Sequence, residues 1–157
     1  MDPGLNAHGW DILFGGTFNS QLVKLEEIAE KQKARLPTKQ YVTHPSVKRL
    51  AAIVKLFSDV VPANPRSSEF LLKDELKNYC RVKGHGLGGR FRLFYRLFEF
   101  DGKKAIVFLW LGFPRKSGDR KDCYTAFKKI VNRASVPNSA DGVRLEIGRQ
   151  FPPITLE

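Results

Sequence analysis

The sequence predicts an α+β fold, in which a small, mostly antiparallel β-sheet carries two N-terminal helices packed on one face and a C-terminal helix. Apolar residues recur at helical spacing through residues 17–34 and again through 45–61. From Tyr79 onward the period drops to two, the signature of strands. Asp101-Gly102 then stands between two apolar runs, a strong hairpin signal.

Taken in order, GWDILFG (9–15) is a short mixed apolar run and reads as an edge strand. Phe18, Leu22, Leu25, Ile28 and Ala29 define a helical face from Thr17 to about Ala34, and RLPTKQYVT breaks it. HPSVKRLAAIVKLFSDVVP places Pro45 in a first turn, where its missing N–H costs nothing. Its apolar positions are 47, 50, 51, 54, 57 and 61, and Pro62 lies just beyond them, so a second amphipathic helix is expected. ANPRSSEFLLKDELKN is a polar connection with room for one helical turn.

Strands follow at YCRVKG (79–84), RFRLFYRLFEF (90–100) and AIVFLWLGF (105–113), with the turn-rich GHGLGG between the first two. The last is apolar at nearly every position, which suits a central strand covered on both faces. A basic loop, PRKSGDRK, leads to the helix DCYTAFKKIVNRA (122–134), whose apolar residues are Tyr124, Phe127, Ile130 and Val131. A single domain over residues 1–137 is expected, followed by a loosely held, flexible tail over 138–157.

The charge is concentrated. Formal net charge is +11; residues 81–133 hold 14 Lys/Arg against 4 Asp/Glu, and the other 104 residues hold 13 against 12. A basic block inside a folded domain favours a polyanionic partner, nucleic acid first. No apolar run is long enough to span a membrane, and MDPGLNAHGWD has the make-up of no signal peptide, so no membrane partner is expected. Cys80 and Cys123 match no metal-ligand spacing, and a reducing cytoplasm is the simplest setting.

Alternation puts Phe91, Leu93, Tyr95 and Leu97 on one face of their strand and Arg90, Arg92, Phe94, Arg96 and Phe98 on the other. Arg81 and Lys83 likewise share a face, so pairing through the Gly-rich turn gathers Arg81, Lys83, Arg90 and Arg92 on one surface. The plain alternative is a hydrated face, and for Arg96 alone it serves as well. Metal-dependent hydrolysis is poorly supplied: Glu99, Asp101, Asp119 and Asp122 form no paired spacing with a histidine, so neither metal nor cofactor is expected.

Metal-free cleavage of RNA fits the cations better. When a 2′-hydroxyl attacks its own phosphate, negative charge gathers on the phosphate oxygens, and fixed guanidinium groups stabilise it. Arginine does not readily serve as a base, but a lysine among like charges can. Lys83 is therefore the candidate base, with Arg81 or Arg92 on the phosphate. Tyr124 could stack on a nucleobase or relay a proton, or be an ordinary core tyrosine. Arg90, His85, Lys116, Arg120 and Lys121 are candidates for holding RNA around the site, although a solvated loop position is the plain reading of His85.

RVKGHGLGGRFRLFYR together with PRKSGDRKDCYTAFKKI resembles the YhaV-type toxins of bacterial type II toxin–antitoxin systems, within the RelE/ParE superfamily. HGWDILFGGTF, VKRLAAIVKLF, NPRSSEF and CRVKG fall in the expected order, so the resemblance covers roughly residues 8–137. It implies a RelE-like fold and an mRNA endoribonuclease that inhibits translation by cutting message at the ribosome. It also implies a cognate antitoxin of the swapped-hairpin (AbrB-like) class, with operator DNA bound through the complex. By position, the family's cleavage residues fall on Arg81, Lys83, Arg92 and Arg115, and its helix tyrosine on Tyr124. The sequence departs from the family in a shorter loop between Trp110 and Arg115 and a longer tail after Pro137. Two alternatives share the architecture: a non-catalytic toxin that poisons gyrase, and a DNA-binding partner in autoregulation.

Overall fold

The computed structural model describes residues 5–89, 91–100, 102–112, 124 and 126–128. Five strands form one mixed sheet: β1 (Leu5–Ala7), β2 (Trp10–Phe14), β3 (Cys80–Lys83), β4 (Arg92–Phe100) and β5 (Lys103–Gly112), in the order β1-β2-β5-β4-β3. Every neighbouring pair is antiparallel except β2 and β5, which run parallel. β4 and β5 pair as the expected hairpin, with Phe100 opposite Lys103.

The expected edge strand is internal. Leu5–Ala7 folds back on Trp10–Phe14 through His8 and Gly9, both at positive φ (52° and 85°), and takes the edge itself. That is the backbone of a two-residue hairpin whose twist matches its strands. A His-Gly pair after only three strand residues is a weak sign of it.

Helix α1 (Gly16–Arg35) begins where β2 ends. The Gly15 N–H donates to the Phe108 carbonyl at 2.7 Å, and a Cβ on Gly15 would stand 3.2 Å from that oxygen, so the close approach favours glycine. RLPTKQYVT does more than break the pattern: it contains the short helix α2 (Thr38–Thr43). Helix α3 (Pro45–Lys55) starts with Pro45 in its first turn and with the His44 side chain accepting from the Ser46 N–H.

Two expectations for α3 need correction. It does not stop before Pro62 but runs on through a π-helical segment (Leu56–Val60) and a last turn (Val61–Ala63). The Val61 N–H reaches the Leu56 carbonyl, five residues back, and Pro62, which has no N–H to place, sits in that last turn. The buried stripe is also displaced: Ile53, Leu56, Phe57 and Val61 are buried, whereas Ala51 and Val54 are exposed. Both stripes have helical spacing; the wide turn brings Leu56, Phe57 and Val61 inward together.

The sheet has a core on each face. Against the helices lie Ile12, Phe14, Phe18, Leu22, Ile53, Phe57, Val82, Leu93, Tyr95, Ile106 and Phe108. On the opposite face Leu76, Tyr79, Phe94, Phe98, Val107, Leu109, Trp110 and Phe127 form a second cluster, with Tyr124 packed on it. The face opposite the N-terminal helices is therefore covered at its centre. Strand β5 is covered on both sides, as its composition requires, and a bulge opposite Phe94/Tyr95 lets Leu109 and Trp110 both join the second cluster. Of the helix expected at 122–134, the described residues 124 and 126–128 are helical. The rest of that segment, the basic loop and the tail lie outside the described residues.

Candidate active site

The pairing of β3 with β4 builds the site. Lys83 lies opposite Arg92 and Arg81 opposite Phe94, so all four belong to the face of the second core cluster. Opposed residues in an antiparallel pair stand roughly 5 Å apart. Two cations, Lys83 and Arg92, thus face each other at the open end of the sheet, and Arg81 lies one pleat inward. Phe94 forms the apolar floor between them, fully buried under Phe127 at 4.2 Å between ring centres.

Tyr124 joins the constellation from the C-terminal helical residues. Its ring meets Phe94 edge-on at 5.8 Å, and the Arg81 guanidinium carbon lies 5.9 Å from its centre. The half-buried phenol therefore borders both the cation and the apolar floor.

Arg81 and Arg92 are held by backbone carbonyls. Arg81 Nη1 donates to Glu69 O at 3.2 Å, and Arg92 Nη1 donates to Phe91 O at 2.9 Å. Each Nε is buried and makes no hydrogen bond among the described residues. Buried polar groups usually find a partner, and here two guanidinium groups of one cluster keep unused donor capacity. Such donors suit an anion. Lys83 is exposed and reaches past them into solvent.

The Gly-rich turn connecting β3 and β4 is fastened to α3. Arg49 Nε donates to Leu87 O at 3.0 Å, and its guanidinium stacks on Phe91 at 3.7 Å. Burial pushes the Arg49 pKa below the usual arginine range. Leu87 is buried beneath the turn, and a Cβ on Gly86, which has φ 87°, would lie 3.1 Å from the Ala52 side chain. Arg49 reads in the sequence as one more charge on an amphipathic helix. Its spacing gives no sign that it anchors a turn 38 residues away.

Of the sequence candidates, then, Arg81, Lys83, Arg92 and Tyr124 come together. Arg96 stacks between Tyr79 and Phe98, further along the same face. His85 stands apart from the strand face, in the turn, with Nε2 2.6 Å from Glu69 Oε1. Glu69 itself escaped the sequence reading because it lies in a segment with no period. Arg90, Arg115, Lys116, Arg120 and Lys121 lie outside the described residues. Among the described residues, no group of three or more His, Cys, Asp or Glu side chains converges to hold a metal ion, and no helix is long and apolar enough to cross a membrane.

Searches among curated proteins and among solved structures return no match. A family model does match, over residues 12–146: that of the YhaV toxins, described as a toxin with endonuclease activity, of toxin-antitoxin system. The match begins within β2 and takes in every later element described, including the paired cationic strands and Tyr124, and it implies a cognate antitoxin as partner. The chain belongs to the YhaV family of toxins with endonuclease activity.

Proposed function

We propose that the nucleic acid is mRNA, that it is cut on the ribosome, and that cleavage proceeds without a metal by attack of the 2′-hydroxyl on the adjacent phosphate. The observation that carries this reading is the opposition of Lys83 and Arg92 beside Arg81, with Tyr124 at the edge. Guanidinium groups fixed by backbone carbonyls need little reorganisation as charge builds on the phosphate oxygens. Lys83, exposed among cations, takes the 2′-hydroxyl proton in its amine form. Arg81 and Arg92 neutralise the phosphate, Arg115 adds its charge to theirs as the family resemblance implies, and Tyr124 stacks on a neighbouring base. Arg90, His85, Lys116, Arg120 and Lys121 hold the flanking RNA.

In this reading the fold is RelE-like, residues 1–137 form the toxin domain and 138–157 its tail. The antitoxin is of the swapped-hairpin class, the complex binds its operator, and the toxin works in the cytoplasm. The test is expression with and without Arg81→Ala, followed by mapping of message ends. Wild type should arrest translation and leave cut messages, and the variant should do neither. Intact messages during arrest would exclude the reading. Cleavage by purified chain in a chelator, with and without ribosomes, tests metal and ribosome dependence separately.

A further inference from the structure

The helix side of the sheet is not closed where β4 begins and β5 finishes. A cleft of about 550 Å³ lies there between α1, the start of α3 and the strand ends. Leu25, Ile28, Phe91 and Leu111 give it apolar walls, and Lys24 and Arg49 add two cations. Among the described residues no carboxylate lines it. Its walls are fastened to one another. The Gln21 side chain donates to Leu111 O at 2.8 Å and accepts from the Leu111 N–H at 2.7 Å, which ties the end of β5 to α1. Arg49 stacks on Phe91 at 3.7 Å, which ties α3 to the start of β4.

Single exposed apolar residues are ordinary. Ile28 differs from Val23, also exposed on α1, because it borders this cleft beside Leu25. The α1 residues that line the cleft run from Thr17 to Ile28 at helical spacing. At 1.5 Å per residue that stripe is roughly 16 Å long, about three turns. An apolar-walled groove of that length suits a second helix laid along α1. RNA would fit it poorly: a phosphate chain would meet only Lys24 and Arg49 among the lining residues, and would lie across Leu25 and Ile28. A second copy of the chain, itself at +11, would be repelled. A toxin–antitoxin pair supplies a protein partner, and a chain at +11 selects an acidic one.

We propose that this cleft is a docking site for the cognate antitoxin, and that its occupant is an acidic amphipathic helix. The apolar face of that helix covers Leu25, Ile28 and Phe91, and its carboxylates meet Lys24 and Arg49. Position gives the contact a consequence. Phe91 precedes Arg92 in the chain, and Leu111 precedes Gly112, which pairs with Arg92. A segment running off this end of the cleft therefore arrives at the rim where Arg92 and Lys83 lie on the other face. The proposal needs the antitoxin that membership of the family implies, and it does not depend on how or where RNA is cut.

The test titrates the antitoxin, taken as the product of the neighbouring reading frame, into the full chain carrying Arg81→Ala to permit expression. Ile28→Asp should weaken binding at least about tenfold. Lys24→Glu should weaken it about five- to tenfold, more at low salt than at high. Val23→Asp, on α1 but outside the cleft, should change it less than about twofold. A photocrosslinker at Ile28, with an oligoribonucleotide also present, should join the antitoxin. Equal effects of Ile28→Asp and Val23→Asp would overturn the proposal, as would a crosslink to RNA, to a second copy or to nothing. Absence of binding to the chain with its cleft intact would overturn it too. If Ile28→Asp lowers the urea midpoint, a crosslinker at the exposed Lys24 decides in its place. Cleavage is not read, so failure here leaves the nuclease reading untouched.

Discussion

Val82 and Leu93 lie opposite one another in β3 and β4, fully buried against the helices. One residue along, Lys83 and Arg92 are paired in the same way, but on the other face and at its rim. The same two strands therefore serve stability on one side and charge on the other, separated only by the thickness of the backbone. Toward the middle of the sheet the difference fades, because Phe94 and Trp110 make the second face a core as well. The contrast is between a face buried from end to end and one buried at its centre with its cations at the open end. A cationic site gains from this: its arginines, half-buried, stand on an apolar floor.

Removing an aromatic from the helix face should break this contrast most severely. Phe108→Ala takes out a fully buried ring that contacts Phe14, Phe18, Phe57 and Tyr95. Urea unfolding, measured in the Arg81→Ala background to permit expression, should show a loss of about 3–5 kcal/mol. Arg81→Ala alone should do the reverse: cleavage falls ~10²–10³-fold, while the unfolding midpoint stays almost unchanged. A large fall in stability with Arg81→Ala would show that the two faces are not separable.

Alkaline pH should act on the helix face next. Burial pushes the Cys80 thiol up to about 11 from 9.0, against smaller opposing effects of Tyr95 and Arg66, and burial also raises the Tyr95 phenol. Both groups are neutral when protonated, so the unfolded chain loses their protons first. Their contribution is complete below the unfolded Cys80 value and is lost as pH rises through 9 toward 11. Denaturation between pH 8 and 11 should show a decline of about 2–3 kcal/mol. Cys80→Ala should remove its early part, between pH 9 and 10. The smallest effect is expected from Arg66→Gln. The exposed Arg66–Glu99 pair lies away from the cationic rim, so its loss should change stability by less than ~1 kcal/mol. Cleavage should be unaffected, whereas a marked fall would extend the RNA-binding surface beyond the rim.

What could be read in the sequence follows the range of the interaction. Period two sorted Arg92 and Phe94 from Leu93 and Tyr95, and the structure keeps that division. Phe18, Leu22 and Ala29 announced α1 because a helix face is a local pattern. The π segment was hidden, since Leu56 and Phe57 fit an ordinary helix as well as a widened one. The parallel pairing of β2 with β5 joins residues more than ninety positions apart, and no period encodes it. Glu69 is the same case within the site: nothing near it says that its backbone meets Arg81 and its carboxylate meets His85. Face assignments came from periodicity, and partners came only from topology.

Among the described residues, strand β5 is the last strand in sequence and the central one in the sheet. Until it is made, a growing chain holds two disconnected ribbons, β1–β2 and β3–β4, and a two-stranded ribbon is marginal in water. The Gln21 side chain waits in α1 for both backbone groups of Leu111, to which it bonds at 2.7 and 2.8 Å. A nascent copy therefore has the cations of β3 and β4 but no sheet to hold them in register. Order of synthesis thus delays an ordered cationic rim until β5 has been made.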